Sequence, residues 1–345
     1  MEKKDIKSMT LRELTAEPVF REMPAYRVGQ VFSWLQKGVA SFDEMTNIPK
    51  NIREILRKNY NIVNCIIQKK LVSGRDDTVK YLYALGDGER VESVVMRYRY
   101  GYSICVSTQA GCPMGCAFCA SALGGFSRNL TPSEILSQID AAERDRGITV
   151  SHIDLMGTGE PLRNLENVSR FLELVAAPEG RQISMRRVSL STCGIVDQIR
   201  ELIPEKPQFT LSVSLHAPND ALRNQIMPVN QKWGVDELLA VCRAYAEATR
   251  RRISFEYALI RDFNDTDACA RELAGRLKGM LCHVNLIPMN EVKGSRFRGS
   301  SPDRTRKFAA ALTNRGLNVT IRRTLGSDIA AACGQLRAAH DEAIF

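Results

Sequence analysis

The chain has 345 residues, of which 44% are apolar and 25% charged, the composition of a folded globular protein. No stretch approaches the roughly 20 apolar residues that cross a bilayer, which excludes a membrane-spanning protein. The 48 lysines and arginines against 39 acidic residues give a net charge of +9, which favours a polyanionic partner. The charged N-terminus lacks the apolar core of a secretion signal, and ten cysteines in such a chain indicate a reducing cytoplasm.

The first hundred residues are predicted to form helices and then strands. The predicted helices are 11–17, 26–37 and 49–60, and the predicted strands are 61–72, 78–85 and 90–98. The middle helix carries Val28, Val31, Phe32 and Leu35 at helical spacing. We expect an N-terminal helical accessory domain with its linker over residues 1–75, connecting strands over 76–100 and a core domain over 101–345.

From about residue 101 onward, predicted strands alternate with predicted helices. The strands are 103–107, 150–156, 187–191, 209–215, 253–259, 283–287 and 317–322, and the helices are 132–145, 165–176, 196–202, 235–249, 265–278 and 302–314. This alternation predicts an α/β fold in which helical crossovers join parallel strands. The pattern fits an incomplete (β/α)6 barrel and a doubly wound sheet equally well.

Three cysteines, Cys112, Cys116 and Cys119, form a Cys-x-x-x-Cys-x-x-Cys motif with no fourth cysteine nearby in the sequence. A structural zinc site normally has four protein ligands, and ferredoxin-type sites supply one cysteine for every iron. Three thiolates can instead hold three irons of a [4Fe–4S] cluster and leave the fourth open to a small molecule. With Phe118 before the last cysteine, the spacing is the signature of radical S-adenosylmethionine (SAM) enzymes. Chance cysteines and an open catalytic zinc site are the alternatives.

Glycine and polar residues gather where the predicted strands end, which is the catalytic edge of parallel α/β folds. These residues are the Gly157-Thr-Gly159-Glu160-Pro161 turn, Ser191, the pair Ser214 and His216, and Asn290. Together they predict one rim suited to the adenosyl and methionyl parts of SAM. A single histidine at a strand end is, however, more often a structural group than a ligand contact.

Two more cysteines and one acid have unusual surroundings. Cys105 lies on the strand that leads into the cysteine motif, and Cys333 lies among small residues near the C-terminus. Each thiol is either a buried core group or, if deprotonated, a nucleophile. Glu92 lies among apolar residues and is either a general base or an exposed edge residue. The remaining cysteines, Cys65, Cys193, Cys242, Cys269 and Cys282, are predicted to be small core residues.

The run Cys105-Val-Ser-Thr-Gln-Ala-Gly-Cys-Pro-Met-Gly-Cys-Ala-Phe-Cys119 resembles the RNA adenosine methyltransferases of the radical SAM superfamily. Other matching segments are Arg128-Asn-Leu-Thr131, Gly157-Thr-Gly-Glu-Pro161, Leu190-Ser-Thr192, Ser214-Leu-His-Ala-Pro-Asn-Asp220 and Asp328-Ile-Ala-Ala-Ala-Cys-Gly-Gln-Leu336. The motifs match in order and spacing over nearly the whole chain. The resemblance implies an incomplete (β/α)6 radical SAM barrel with a small N-terminal helical domain that docks RNA.

The resemblance is closest to the branch that methylates C2 of adenosine in 23S rRNA and in tRNA, and it implies a role for each motif residue. Cys333 takes a methyl group from one SAM and becomes S-methylcysteine, and a second SAM at the [4Fe–4S] cluster gives a 5′-deoxyadenosyl radical that activates that methyl group. Cys105 then attacks Cys333 to release the covalent protein–RNA adduct, leaving a disulfide, and Glu92 is the proton acceptor. Cys112, Cys116 and Cys119 bind the cluster. The implied SAM contacts are Gly159, Glu160, Ser191, Ser214, Leu215, His216 and Asn290.

The partners implied are 23S rRNA, tRNA and an electron donor such as a flavodoxin-type reductase system. The enzyme itself is expected to be a cytoplasmic monomer without membrane attachment. A splayed or single-stranded base is the expected target, since C2 of a stacked adenine is hard to reach. The related C8-methylating resistance enzymes need the same chemistry, but residues 110–115 and 124–129 favour the C2 branch. A radical SAM enzyme for another substrate and a non-catalytic basic RNA-binding protein with a structural metal are the remaining alternatives.

Overall fold

The computed structural model describes residues 3–122, 124–290 and 296–331. The strands in these ranges are β1 (Lys4–Asp5), β2 (Tyr60–Asn61), β3 (Ile66–Val72), β4 (Val79–Ala84), β5 (Arg90–Tyr98), β6 (Gly101–Cys105), β7 (Gln109–Gly111), β8 (Phe126–Asn129), β9 (Val150–Leu155), β10 (Val188–Thr192), β11 (Thr210–Ser214), β12 (Ile253–Leu259), β13 (Cys282–Pro288) and β14 (Val319–Ile321). The helices are α1 (Leu11–Ala16), α2 (Pro18–Arg21), α3 (Ala25–Gln36), α4 (Lys50–Asn59), α5 (Pro132–Arg146), α6 (Leu165–Ala176), α7 (Val196–Glu205), α8 (Asp220–Ile226), α9 (Val235–Thr249), α10 (Asp267–Leu277) and α11 (Pro302–Thr313).

Ten strands form one sheet in the order β14-β13-β12-β11-β10-β9-β6-β5-β4-β3. Neighbours from β6 to β14 pair in parallel, and β5, β4 and β3 extend the sheet as an antiparallel meander. Each of the six strands β6 and β9–β13 is followed by at least one crossover helix, which gives six β/α units. Arg322, just after β14, has its Nη1 atom 3.7 Å from the Met156 sulfur just after β9. The sheet therefore curves into an open barrel, and the doubly wound alternative does not hold.

Helix α5 illustrates how local sequence fixes an element beside the cysteine motif. Thr131 caps the helix together with Glu134, Pro132 occupies the first turn, and Gly147 ends the helix with a φ of +62°. Arg128 on β8 donates two hydrogen bonds of 2.8 Å to Glu134. The Arg128–Thr131 motif therefore holds the strand that frames the cysteine loop against the first barrel helix.

The N-terminal helices have a hydrophobic core of their own, to which α3 contributes the four predicted residues Val28, Val31, Phe32 and Leu35. Lys7 and Asp140 form an ion pair in which both side chains are almost completely buried. Because Asp140 lies on α5, this pair ties the N-terminal segment to the barrel. Strand β3 pairs with β4 and is thus part of the large sheet, and the division at residue 75 stays a prediction.

The sequence analysis did not predict the short elements α2, α8, β1 and the β7–β8 hairpin. Each has at most seven residues, too few for a hydrophobic period to stand out. Within the described ranges, no helix combines the length and the apolar character that a bilayer-spanning segment requires.

Candidate active site

The loop that carries the three motif cysteines is anchored to the barrel at several points. Cys112 donates its backbone N–H to the Gly125 carbonyl at 2.8 Å, closing the loop across the β7–β8 hairpin. Gly111 has a φ of +76°, and a Cβ there would lie 2.1 Å from the Gly125 oxygen, so the closure requires glycine. Ala117 donates to the Ile226 carbonyl of α8 at 2.9 Å. The backbone therefore fixes the loop over the end of the barrel.

The thiols of Cys112, Cys116 and Cys119 line one open cavity of about 980 Å³. Six of the predicted SAM contacts also lie on its wall, namely Gly159, Glu160, Ser191, Ser214, His216 and Asn290. They come from the ends of four strands that are far apart in the sequence. Leu215 differs from the other predicted contacts because it is fully buried in the main core and does not line the cavity.

The glycines of the turn after β9 are required by contacts within the chain. A Cβ on Gly157 would lie 2.6 Å from the Val106 carbonyl, and one on Gly159 would lie 2.7 Å from the Gln109 Cβ. The sequence analysis interpreted these glycines as allowing a ligand to approach, and the structure adds that they let the turn pack against the chain that follows β6. Gly159 also has a φ of +110°, which disfavours every other residue type.

Glu160 presents a buried carboxylate whose position is fixed by two backbone donors. Oε1 accepts the N–H of Leu162 at 3.0 Å, and Oε2 accepts the N–H of Cys193 at 2.7 Å. Burial raises the pKa of Glu160 although these hydrogen bonds act in the opposite direction. The side chains of Thr192 and Cys193 also hydrogen-bond this carboxylate, which lies on the cavity wall, where an ammonium group could approach it.

His216 is held as a neutral imidazole beside the cysteine loop. Its Nδ1 accepts the N–H of Ala258 at 2.9 Å, which leaves the ring proton on Nε2. Burial and the charge of Arg223 lower the pKa of His216 to about 3. The ring of Phe118 meets the imidazole edge to face with centroids 4.9 Å apart. The aromatic residue before the last motif cysteine therefore packs the loop against the end of β11.

A second cavity, of about 690 Å³, adjoins the first and is lined by Cys105. The residues common to both cavities are Cys119, Met156, Gly157, Ile287, Asn290 and Arg322. Ala331, the last described residue, also lines the second cavity. Cys333 lies outside the described residues. Cys105 and the start of the segment that carries Cys333 thus share a cavity that opens on the cysteine motif.

A set of hydrogen bonds, which we call the C-terminal clamp, joins the β3–β4 turn to residues 326–328. Asp328 accepts from the Ser73 hydroxyl at 2.8 Å and from the Gly74 N–H at 3.0 Å, and Asp76 accepts from the Gly326 N–H at 3.0 Å. The hydrogen bond from Ser73 lowers the pKa of Asp328. Burial would raise the pKa of Asp76, but hydrogen bonds from Thr78 and Gly326 outweigh it and lower this pKa. The clamp fixes the chain five residues before Cys333.

Glu92 is completely buried on β5, so it is not the exposed edge residue that the sequence allowed. Its Oε1 lies 2.9 Å from the Lys80 Nζ atom, which also donates to the Ala330 carbonyl at 3.3 Å. Glu92 lines neither cavity, but it lies two residues before Val94, which lines the second. Lys80 therefore connects the carboxylate to the segment that leads to Cys333.

Two residues of this site were not predicted as functional. Cys193, expected in the core, lines the cluster cavity and brings a fourth cysteine to a motif that has none nearby in the sequence. The sequence signal that could have predicted a place for Cys193 at the cavity was its position directly after the Leu190-Ser-Thr192 strand end. Arg223 on α8 is fully buried and hydrogen-bonds the carbonyls of Cys193 and Ser214. No local pattern marks it, because α8 has only seven residues.

The thiols fit a cubane cluster better than a single metal ion. Among the described residues, no three His, Cys, Asp or Glu side chains are grouped so that they could hold one ion. In a cubane cluster, by contrast, each thiolate binds a different iron, so the thiols surround a shared cavity and need not converge on one point. Burial raises the pKa of Cys112 to about 11, so this thiol stays protonated until a metal displaces its proton. The open wall facing the three thiols leaves room for SAM.

Replacing Gly159 by alanine is expected to destabilise the fold by about 1–3 kcal/mol and to weaken SAM binding, since the new Cβ clashes with Gln109 and strains the backbone. Gly275→Ala on α10 is the matched control, because a Cβ there has nothing within 4 Å. Denaturant unfolding and SAM binding by calorimetry test both variants. Equal stability and SAM affinity in the two variants would contradict the role given to Gly159.

Comparison with known proteins agrees with this site. Residues 106–271 match the family model of the radical SAM superfamily, and residues 5–62 match that of the ribosomal RNA large subunit methyltransferase N-terminal domain. A protein of Alkaliphilus oremlandii named probable dual-specificity RNA methyltransferase RlmN is 48% identical, with 99% of each chain covered. A protein of the same name from Pelotomaculum thermopropionicum is 50% identical over 96% of this chain and 91% of its own. The crystal structure of a radical SAM methyltransferase from Sphaerobacter thermophilus is 40% identical, with a TM-score of 0.93, and covers 97% of this chain and 100% of its own.

These similarities confirm the predicted radical SAM barrel with its N-terminal helical part, and with it the predicted cofactors, a [4Fe–4S] cluster and SAM. They extend over 99% and 91% of the two relatives' own lengths. The chain belongs to the radical SAM superfamily and, within it, to the family of the dual-specificity RNA methyltransferases.

Proposed function

We propose that this enzyme methylates C2 of a specific adenosine in 23S rRNA and in tRNA, using two SAM molecules for each methyl group transferred. The observation that carries the proposal is the contiguity of the two cavities, since the three motif thiols and Cys105 face connected spaces. The match of residues 5–62 to the N-terminal domain of a ribosomal RNA methyltransferase supports RNA as the substrate. The names of the relatives support its dual specificity.

The cluster cavity is proposed to bind the cofactors. Cys112, Cys116 and Cys119 would hold the cluster, which supplies the electron that cleaves SAM reductively. Glu160 would accept a hydrogen bond from the SAM ammonium group, because its carboxylate is held in place on the cavity wall. Gly159, Ser191, Ser214, His216 and Asn290 would complete the SAM contacts from the cavity wall. Leu215, which is buried, would contribute only through its backbone.

The second cavity is proposed to bind the target base between the two relay cysteines. The Cys333 sulfur would first displace the methyl group from SAM, so that a sulfur–carbon bond forms as the sulfonium bond breaks. After the methyl carbon has bonded to the base, the Cys105 thiolate would attack the Cys333 sulfur, so that a disulfide forms as the bond between this sulfur and the carbon breaks. The carbon would then take up a proton and stay on the base as its methyl group. A two-electron thiol reductant must then restore both cysteines. Glu92, connected to this region through Lys80, would accept the proton that the base loses.

The proposed domain roles follow the predicted division, with residues 1–75 docking RNA, 76–100 connecting and 101–345 carrying the chemistry. The buried Lys7–Asp140 ion pair supports a fixed docking geometry. The surplus of nine positive charges supports binding of RNA phosphates. A flavodoxin-type reductase system is the proposed electron source for a monomeric enzyme, and its RNA substrates would place the enzyme in the cytoplasm.

The decisive experiment is anaerobic. The cluster is reconstituted, SAM and dithionite are added to protein-free rRNA and tRNA, and the digested nucleosides are identified by mass spectrometry. We expect 2-methyladenosine from both RNAs and none from the Cys116→Ala variant. A product of 8-methyladenosine would assign the enzyme to the C8 branch. SAM cleavage without any methyladenosine would overturn RNA as the substrate.

Removing the Asp328 carboxylate is expected to slow methylation of Cys333 by roughly 10- to 100-fold, because the clamp no longer fixes the segment before it. Asp328→Ala is compared with Asp303→Ala, which removes an exposed carboxylate from α11. The S-methyl content of Cys333 after incubation with SAM is measured by mass spectrometry. Because hydrogen bonds lower the pKa of both clamp carboxylates, their stabilising effect is present above about pH 3.9 and is lost as the pH falls further. Equal methylation in the two variants would contradict the clamp's role.

A further inference from the structure

Arg223 is a fully buried cation without a carboxylate partner. Its side chain is 0% exposed, and within the described ranges it forms no ion pair. Its four hydrogen-bond acceptors are all neutral: the carbonyls of Cys193 (2.6 Å), Leu215 (3.0 Å) and Ser214 (3.1 Å) and the Asn230 side-chain oxygen (2.9 Å). A buried charge is strongly unfavourable unless something compensates it. The Asp220 carboxylate is linked to Arg223 only through Asn230, which donates to Asp220 at 2.9 Å, so the compensation by protein side chains is indirect.

The guanidinium lies directly behind the wall of the cluster cavity. Cys193, whose carbonyl it binds, lines that cavity together with Cys116. Helix α8, which carries Arg223, accepts the hydrogen bond from Ala117 of the cysteine loop. The Arg223 charge also opposes the effect of burial on the pKa of Cys116.

We propose that Arg223 is the buried counter-charge of the iron–sulfur cluster and raises the cluster's reduction potential. The inference rests on the proposed binding of the cluster by Cys112, Cys116 and Cys119. Reduction adds one electron, and no proton, to a site that already carries three thiolates. A fixed positive charge in a poorly solvated interior stabilises the more negative state, so that a one-electron donor of low potential can reduce the cluster more readily. The cluster in turn would supply direct compensation for a charge that the protein reaches only through Asn230.

A purely structural role is the competing explanation, because Arg223 also joins the ends of β10 and β11. Two kinds of substitution separate the explanations. Arg223→Lys keeps the charge and loses most of the hydrogen bonds, whereas Arg223→Gln and Arg223→Met remove the charge. If the role is purely structural, all three variants bind less cluster, but the reduction potential does not differ between the lysine variant and the two neutral variants.

The test is an anaerobic redox titration of the reconstituted full-length protein with dithionite, in which electron paramagnetic resonance measures the reduced cluster. In both neutral variants, the ratio of reduced to oxidised cluster at the wild-type midpoint is expected to fall at least about tenfold, which is 59 mV for a one-electron couple. Arg223→Lys is expected to keep the wild-type midpoint. Arg200→Met, which removes an exposed arginine from α7, is the control and is expected to change nothing, because water and salt screen that charge.

An unchanged midpoint in the neutral variants would overturn the proposal, as would a lysine variant that shifts with them. If the neutral variants bind no cluster while Arg223→Lys is fully loaded, the counter-charge role is supported. If none of the three binds a cluster, the role is structural and the proposal fails. A wild-type protein that binds no cluster would instead overturn the proposed function.

Discussion

Replacing Cys333 by alanine is expected to lower RNA methylation by at least roughly 1,000-fold, since no other group can carry the methyl group to the base. C2 of adenine is electron-poor and does not attack a methylsulfonium directly, so the sulfur cannot be bypassed. Reductive cleavage of SAM should persist in this variant, because the proposed cluster ligands Cys112, Cys116 and Cys119 are unchanged. The measurements are nucleoside mass spectrometry for methylation and chromatography for 5′-deoxyadenosine.

Cys269→Ala is the matched control for this experiment. Cys269 is also a cysteine, but it lies on α10 and lines neither cavity. Its variant should methylate RNA at the wild-type rate. Methylation retained by Cys333→Ala would refute the cysteine relay while leaving the radical SAM fold intact.

Replacing Cys105 by alanine is expected to arrest the enzyme after at most about one turnover, with RNA covalently attached to the protein. Cys105 lines the second cavity together with Ala331, close in sequence to Cys333, and it is the thiol placed to attack the adduct. Without it, the bond between the Cys333 sulfur and the carbon that is attached to the base cannot be broken. The adduct appears in denaturing gels as a protein band whose mobility changes on ribonuclease treatment.

The double variant Cys105→Ala with Cys333→Ala should give no such band, because the bond to RNA never forms. This comparison separates a covalent adduct from RNA that is merely tightly bound. A Cys105→Ala enzyme that turns over normally and carries no RNA would end the resolving role assigned to this cysteine.

The sequence predicted the regular elements well where they are long. Strand β12 and helices α6 and α9 have the bounds that their hydrophobic patterns indicated. The strand and helix patterns are both local. A side-chain period of two residues is visible within a few residues of strand, and one of 3.6 residues within about one turn of helix. The order of the strands and the curvature of the sheet were open, because parallel pairing joins residues that are distant in the chain. The strand pairings decided the order, and the contact between Arg322 and Met156, across the barrel, decided the curvature.

The cysteine motif could be interpreted from the sequence alone because its three ligands lie within eight residues of each other. Cys193, Arg223 and the clamp could not, since their roles come from contacts between distant segments. Ser73 and Asp328 are 255 positions apart, and Arg223 binds Cys193 across 30 positions. The sequence by itself therefore determined the chemistry of the family, which depends on ligand type and local spacing. Only the tertiary structure decided which buried charge lies behind the cavity wall and which turn binds Asp328, because folding alone brings those groups into contact.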